Sequence, residues 1–128
     1  APTTAPALAP RSDGLRLVEG VLARHVEGRV PQGVSAHFPT DAGRVWAFVR
    51  VANPGPPTHI FMVWRKGGVE RARVQLRVGT SPGWRTWSRK RVGPRDAGPW
   101  TVEVLDAAQR PLGELHFELR PVGGGAAG

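Results

Sequence analysis

The sequence has no cysteine and no tyrosine, a single methionine, and two lysines beside sixteen arginines. Without cysteine there is no thiolate nucleophile, no cysteine-based zinc site and no disulfide framework. No apolar run reaches the ~18 to 20 residues of a membrane helix, so no helix of this chain is expected to span a bilayer. Segments of helical periodicity are missing too, and with them a recognition helix or a phosphate-binding loop leading into a helix. What is present is a chain of 128 residues, 40% hydrophobic and 22% charged. That is the range of one globular domain, long enough to bury ~65 to 70% of its unfolded surface without metal or disulfides.

Residues 1–14, APTTAPALAPRSDG, are rich in Pro, Ala and Thr and predict an extended, flexible leader or linker. Residues 122–128 predict a flexible Gly-rich tail, leaving 15–121 for a single domain. A start at Ala1 rather than Met leads us to expect a processed or truncated product. Across the domain, Gly and Pro recur every eight to twelve residues between short Val-rich runs. This rhythm predicts an all-β fold, a single antiparallel, immunoglobulin-like β sandwich of about eight strands.

The expected strands are Leu15 to Glu27 (one long strand or a broken pair), Val34 to Phe38 (short, an edge), Arg44 to Val51, His59 to Lys66, Val69 to Val78, Trp84 to Val92, Trp100 to Asp106 and Leu112 to Leu119. His59 to Lys66 is apolar on both faces, as a central strand is, and Gly67-Gly68 after it marks a two-residue hairpin. The return strand alternates cleanly: Ala72, Val74, Leu76 and Val78 share one parity, Arg71, Arg73, Gln75 and Arg77 the other. Trp84 and Trp87 lie three apart. Either a bulge turns one of them inward, or one indole stands among arginines on the surface. In a regular strand Arg85, Trp87, Arg89 and Arg91 line up together.

Eighteen basic residues face ten acidic ones, a net charge of +8. Between Arg65 and Arg95 there are ten basic residues and one acid, so this stretch of +9 carries all the excess. The expected candidate site is therefore a basic sheet face made of Arg71, Arg73, Arg77, Arg85 and Arg89, with Trp87 available for stacking. The alternative is that these arginines solubilise a wet face and protect strand edges. The partner of such a face is an anionic polymer or an acidic protein surface. Nucleic acid is disfavoured, because Trp87 is the one exposed-aromatic candidate among the basic residues.

Catalysis is not expected. No serine lies in a Gly-x-Ser-x-Gly elbow, and Ser88 has basic neighbours only. His25, His37, His59 and His116 are not paired at metal-binding spacing, and Asp41, Asp96 and Asp106 fall in turn contexts where carboxylates bond local amides. No cofactor or metal is called for. Trp46, Trp64, Trp84 and Trp100 share parity with apolar neighbours and are expected in the core.

The segment from Val21 to Leu119 resembles a bacterial family, Domain of Unknown Function 2914. The likeness rests on Val26 to Pro31, on His59 with Trp64 and the Gly67-Gly68 hairpin, and most on Trp84-x-x-Trp87-Ser88-x-Lys90 followed by Gly98-x-Trp100-Thr101-Val102-Glu103-Val104 and Asp106. Residues 26 to 31 lack the acidic residue often placed before the proline, and Gln109-Arg110 replaces the usual Asp-Gly turn. The resemblance implies an extracytoplasmic module, periplasmic or membrane-tethered in its parent protein, with no established activity. We therefore expect a non-catalytic interaction module that docks an anionic partner. The alternatives are a structural domain contacting other parts of its parent protein and an enzyme built from cross-strand histidines and carboxylates. In the structural account, Ser88 and Lys90 pair polar groups beside the Gly98-to-Asp106 strand.

Overall fold

Short Val-rich runs cut by Gly and Pro become ten strands in the computed structural model, which describes residues 14–121. The expected leader, apart from Gly14, and the tail at 122–128 lie outside the described residues. In chain order the strands are β1 (Arg16–Ala23), β2 (His25–Glu27), β3 (Val30–Gln32), β4 (His37–Pro39), β5 (Arg44–Asn53), β6 (Thr58–Lys66), β7 (Val69–Val78), β8 (Ser81–Arg91), β9 (Gly98–Leu105) and β10 (Pro111–Arg120). There are more than eight because the first expected segment breaks at Arg24 into β1 and β2, and β3 returns against β2.

The strands form two facing sheets, β1-β5-β8 and β4-β10-β9-β6-β7, together with the small β2-β3 hairpin. This is the all-β sandwich read from the sequence. One pairing departs from the antiparallel rule: β4 runs parallel to β10 and closes that sheet's edge with only three residues. A short strand limits the unpaired backbone an edge offers to other chains. β6 is central, between β9 and β7, which is why it is apolar on both sides. The β6-β7 hairpin turns on Gly67 and Gly68, both at positive φ (56° and 87°), where a two-residue turn requires left-handed backbone.

Alternation on each strand fills the space between the sheets. Val45, Ala47, Val49 and Val51 of β5 face Ile60, Met62 and Trp64 of β6, Val102 and Val104 of β9, and Leu115, Phe117 and Leu119 of β10. Phe117 stacks on Trp100 at 5.9 Å and meets Trp64 edge-on at 6.0 Å. One polar contact crosses this core. Trp64 Nε1 donates to Ser88 Oγ at 3.2 Å, and the Ser88 hydroxyl donates to Met62 Sδ at 3.0 Å. Ser88 thus serves β6 in the opposite sheet and not β9, because its inward position on β8 aims it across the sandwich. A buried indole N–H left unpaired would cost about 1–3 kcal/mol, so this hydroxyl anchors the two sheets in register.

Candidate functional site

The two arginine rows that are adjacent in sequence belong to different sheets. β7 pairs with β6 in the five-stranded sheet and β8 with β5 in the three-stranded sheet. The chain crosses between them at Gly79-Thr80, where a Cβ on Gly79 would meet the Trp84 ring at 2.7 Å. Outward residues of the two sheets point away from each other. The expected single face of Arg71, Arg73, Arg77, Arg85 and Arg89 is therefore corrected to two opposite surfaces, Arg73 and Arg77 on one, Arg85, Trp87 and Arg89 on the other.

Arg71 joins neither row. The β6-β7 register slips by one residue, pairing Trp64 with Ala72 and Arg65 with Glu70, so Arg71 is the extra residue of a bulge. The bulge turns it toward the end of the core. Its guanidinium lies 5.5 Å from the centre of the buried Trp100 ring and 3.4 Å from Asp96 Oδ1. Lys90 reaches the same ring from the other sheet, at 6.0 Å. Asp96 is itself fixed by the Gly93 N–H at 2.8 Å, and its carbonyl accepts from Trp100 Nε1 at 2.8 Å. These cations cap the core end.

The outward face of the five-stranded sheet is electrically balanced. Its register places Arg65, Arg73, Arg77 and Arg120 among Glu70, Glu103, Glu114 and Glu118. Arg65 pairs with Glu103 at 3.2 Å and Arg120 with Glu118 at 3.3 Å. Arg73 donates from Nε and Nη2 to the two oxygens of Glu70, at 3.2 and 3.1 Å, and from Nη1 to Gln109 at 2.6 Å. This two-pronged bond holds the Glu70 carboxyl below its ordinary value of 4.5 and raises the Arg73 guanidinium, the side-chain hydrogen bond being the main cause in both cases. Arg77 lies over Trp84 at 5.8 Å.

The outward face of the three-stranded sheet is different. β8 is regular between Trp84 and Arg91, so Trp84 points in and Trp87 out. Cross-strand partners on this face are Arg44 with Arg91, Trp46 with Arg89, Phe48 with Trp87, and Arg50 with Arg85. Two pairs set like charges directly opposite each other, an arrangement that normally destabilises a sheet. Arg50 is relieved by Glu19 at 3.5 Å and lies across Gly83, whose absent side chain leaves room: a Cβ there would sit 2.8 Å from Arg50 Nη2. Among the described residues, Arg44, Arg85, Arg89 and Arg91 have no ion-pair partner.

Between these charges lie aromatics. Phe48 is buried although it faces outward, because Trp87 stacks beside it at 6.1 Å and β2 packs over β5. Trp46, expected in the core, is only half-buried: His25 meets it edge-on at 5.4 Å and Arg89 lies 5.3 Å from its centre. Around Trp46 opens a cavity of about 600 Å³ lined by Arg24, His25, Ala42, Gly43, Arg44, Arg89 and Arg91, with no acidic residue. A second concavity of about 330 Å³ lies at the other end of β8, where Arg29 from the β2-β3 turn joins Arg85, Trp84 and Trp87.

Sequence reasoning missed Arg24, His25, Arg29, Arg44 and Trp46. Their signal was the alternation Arg44, Trp46, Phe48, Arg50, which becomes informative only when β5 is known to pair with β8. Chemistry elsewhere is sparse. His116 lies 3.3 Å from Glu114, but both are exposed on the balanced face and not in a cleft. Among the described residues, no three His, Asp or Glu side chains gather as metal ligands. The Asp106 carboxylate accepts the N–H groups of Ala108 and Arg110 at 2.8 Å, a turn-stabilising role like that of Asp96.

Among curated proteins, none matches the chain. Residues 57–119 match the model of a family described as "Protein of unknown function (DUF2914)". The matched stretch runs from the start of β6 to the penultimate residue of β10 and carries Arg85, Trp87, Arg89 and Arg91, the β8 half of the basic face. This segment, with its Trp84-x-x-Trp87-Ser88-x-Lys90 strand, is what the chain shares with the DUF2914 family.

Proposed function

We propose that this protein is a non-catalytic binding module that docks an anionic polymer along β8, on the outward face of the three-stranded sheet. The observation that carries the reading is the pair of like-charge rungs, Arg44 with Arg91 and Arg50 with Arg85, bracketing Trp46, Phe48 and Trp87. Repulsion across the Arg44–Arg91 rung, where neither arginine has an ion-pair partner among the described residues, lowers stability in the free protein and is relieved when negative charge arrives. Arg85 and Arg91 are six residues apart, about 20 Å along a strand, so the ligand is an extended chain with repeated charge. Trp87 lies between the charges and offers a stacking surface. Following the family resemblance, the module works outside the cytoplasm.

The test is binding to polyphosphate, a sulfated polysaccharide and polyglutamate as a function of salt. Affinity should fall steeply as ionic strength rises, since exposed charges are screened within about 10 Å at 0.1 M salt. An Arg44→Ala/Arg89→Ala/Arg91→Ala variant should lose binding, and an Arg73→Ala/Arg77→Ala variant should retain it. Equal losses in both variants, or no binding at low salt, refute the proposal.

A second reading has one observation in its favour. β7 and β8 are both edge strands, and Val74 and Leu76 are half-buried beside Trp87 and Ser88. A neighbouring domain of the parent protein fits such an edge, which makes the module an assembly element.

A further inference from the structure

We infer that the cavity around Trp46 is a binding site for one tetrahedral oxyanion, a phosphate or sulfate group borne by the docked chain. The inference rests on the docking reading for its context and on separate observations for its chemistry. Four arginines line the cavity from three parts of the fold: Arg24 from the β1-β2 break, Arg44 from the start of β5, and Arg89 and Arg91 from the end of β8. None has an ion-pair partner among the described residues. No carboxylate lines the cavity, so no internal anion competes with a ligand.

Valence and shape decide which anion fits. A planar carboxylate carries one charge and is satisfied by a single guanidinium fork. Four arginines lining one cavity from three parts of the fold exceed what it accepts. A phosphate or sulfate ester presents its terminal oxygens in different, non-coplanar directions, and guanidinium is the side chain that matches such oxygens bidentately. The volume of about 600 Å³ is larger than the anion alone and leaves room for the sugar or other residue that carries it. Arg89 over Trp46 and His25 against the indole edge hold two of the lining groups in place before ligand arrives.

The like-charge rung gives this site a signature that solubilising arginines lack. Arg44 and Arg91 face each other across the β5-β8 pair, so removing either charge relieves repulsion in the free protein while weakening the anion site. Affinity and intrinsic stability therefore move in opposite directions.

The experiment is titration with inorganic phosphate, sulfate and acetate at matched ionic strength. It is followed by the Trp46 indole N–H and His25 ring resonances and by the unfolding temperature. Phosphate or sulfate should shift both resonances saturably and raise the unfolding temperature, acetate should do neither, and the tighter of the two tetrahedral ions tells which ester the site takes. Arg44→Gln and, separately, Arg89→Gln should weaken that binding about tenfold or more, the worth of one charge-assisted hydrogen bond. Arg44→Gln without ligand should unfold at an equal or higher temperature. Acetate acting like phosphate, or Arg44→Gln losing stability without losing anion affinity, overturns the inference. Polymer binding with a cavity silent to phosphate and sulfate overturns it and leaves the docking reading standing. A cavity that binds phosphate on a protein that binds no polymer supports the site and removes the polymer.

Discussion

The two outward faces of this sandwich carry similar numbers of arginines and treat them in opposite ways. On the five-stranded sheet, four arginines meet four glutamates, and three of the four are held in ion pairs of 3.1 to 3.3 Å. On the three-stranded sheet, Arg44, Arg50, Arg85, Arg89 and Arg91 share the surface with Glu19, which pairs with Arg50. The difference shows that a count of positive charge does not locate a site. Cations paired at home are spent, whereas cations set against each other keep their field for a partner. The family match spans all of the balanced sheet except β4 but supplies only β8 to the basic one, so the cavity is completed by Arg24 at the β1-β2 break, by His25 of β2 and by β5 with the Ala42-Gly43 turn before it.

The largest effect we expect comes from what separates the faces. Trp64→Ala removes a fully buried indole and the hydrogen bond it donates to Ser88 Oγ, and should destabilise the fold by about 3–5 kcal/mol in denaturant unfolding. Both faces should lose their surface properties in the same transition; a basic face that survives the collapse of the balanced one would mean that the sheets fold independently. Next in size is an attempt to convert the balanced face. A Glu70→Gln/Glu103→Gln variant leaves Arg73 and Arg65 without their carboxylates, and should give that face severalfold stronger polyanion binding at low salt, measured with the β8 arginines already replaced. If binding stays absent, pairing is not what silences those arginines.

The smallest effect concerns acid. Arg73 depresses the Glu70 carboxyl below 4.5, so this pair contributes stability above that pH and loses it as the pH falls through the lowered folded-state value. Wild type and Arg73→Ala should therefore differ slightly in unfolding temperature near neutral pH and converge in strong acid. Both groups are exposed, which keeps the difference small. The unpaired face has no such carboxylate partner for Arg89 or Arg91, and Arg89→Ala should show no comparable convergence.

Much of the fold was legible in local pattern. Ala72, Val74, Leu76 and Val78 alternate with charged residues, and the strand follows over the expected Val69–Val78. Gly67-Gly68 demanded left-handed backbone and makes the turn. Spacing alone sent Trp84 and Trp87 to opposite sides once β8 proved regular. The site was legible only in part. Arg85, Trp87, Arg89 and Arg91 share a row because side chains on one strand alternate, a rule that needs no partner strand. Arg71 reads as part of the outward row, but a one-residue slip in pairing reverses its parity, and nothing in its own neighbours announces that slip. Trp46 reads as core because its neighbours are apolar, yet its burial depends on a hairpin folding over from residues 25–32.

The sequence by itself determined which residues alternate, where the chain turns, that the fold is a β sandwich, and that its excess charge is arginine. These are local properties, set by side-chain period and by backbone that only glycine adopts comfortably. Only the tertiary structure decided which sheet each strand joined, and so which arginines met glutamates and which met each other. Strand pairing is a long-range choice made by the shape of the whole core. Here it split one +9 run of sequence between two faces and an end, and drew Arg24 and Arg44 from the rest of the chain to complete the unpaired one.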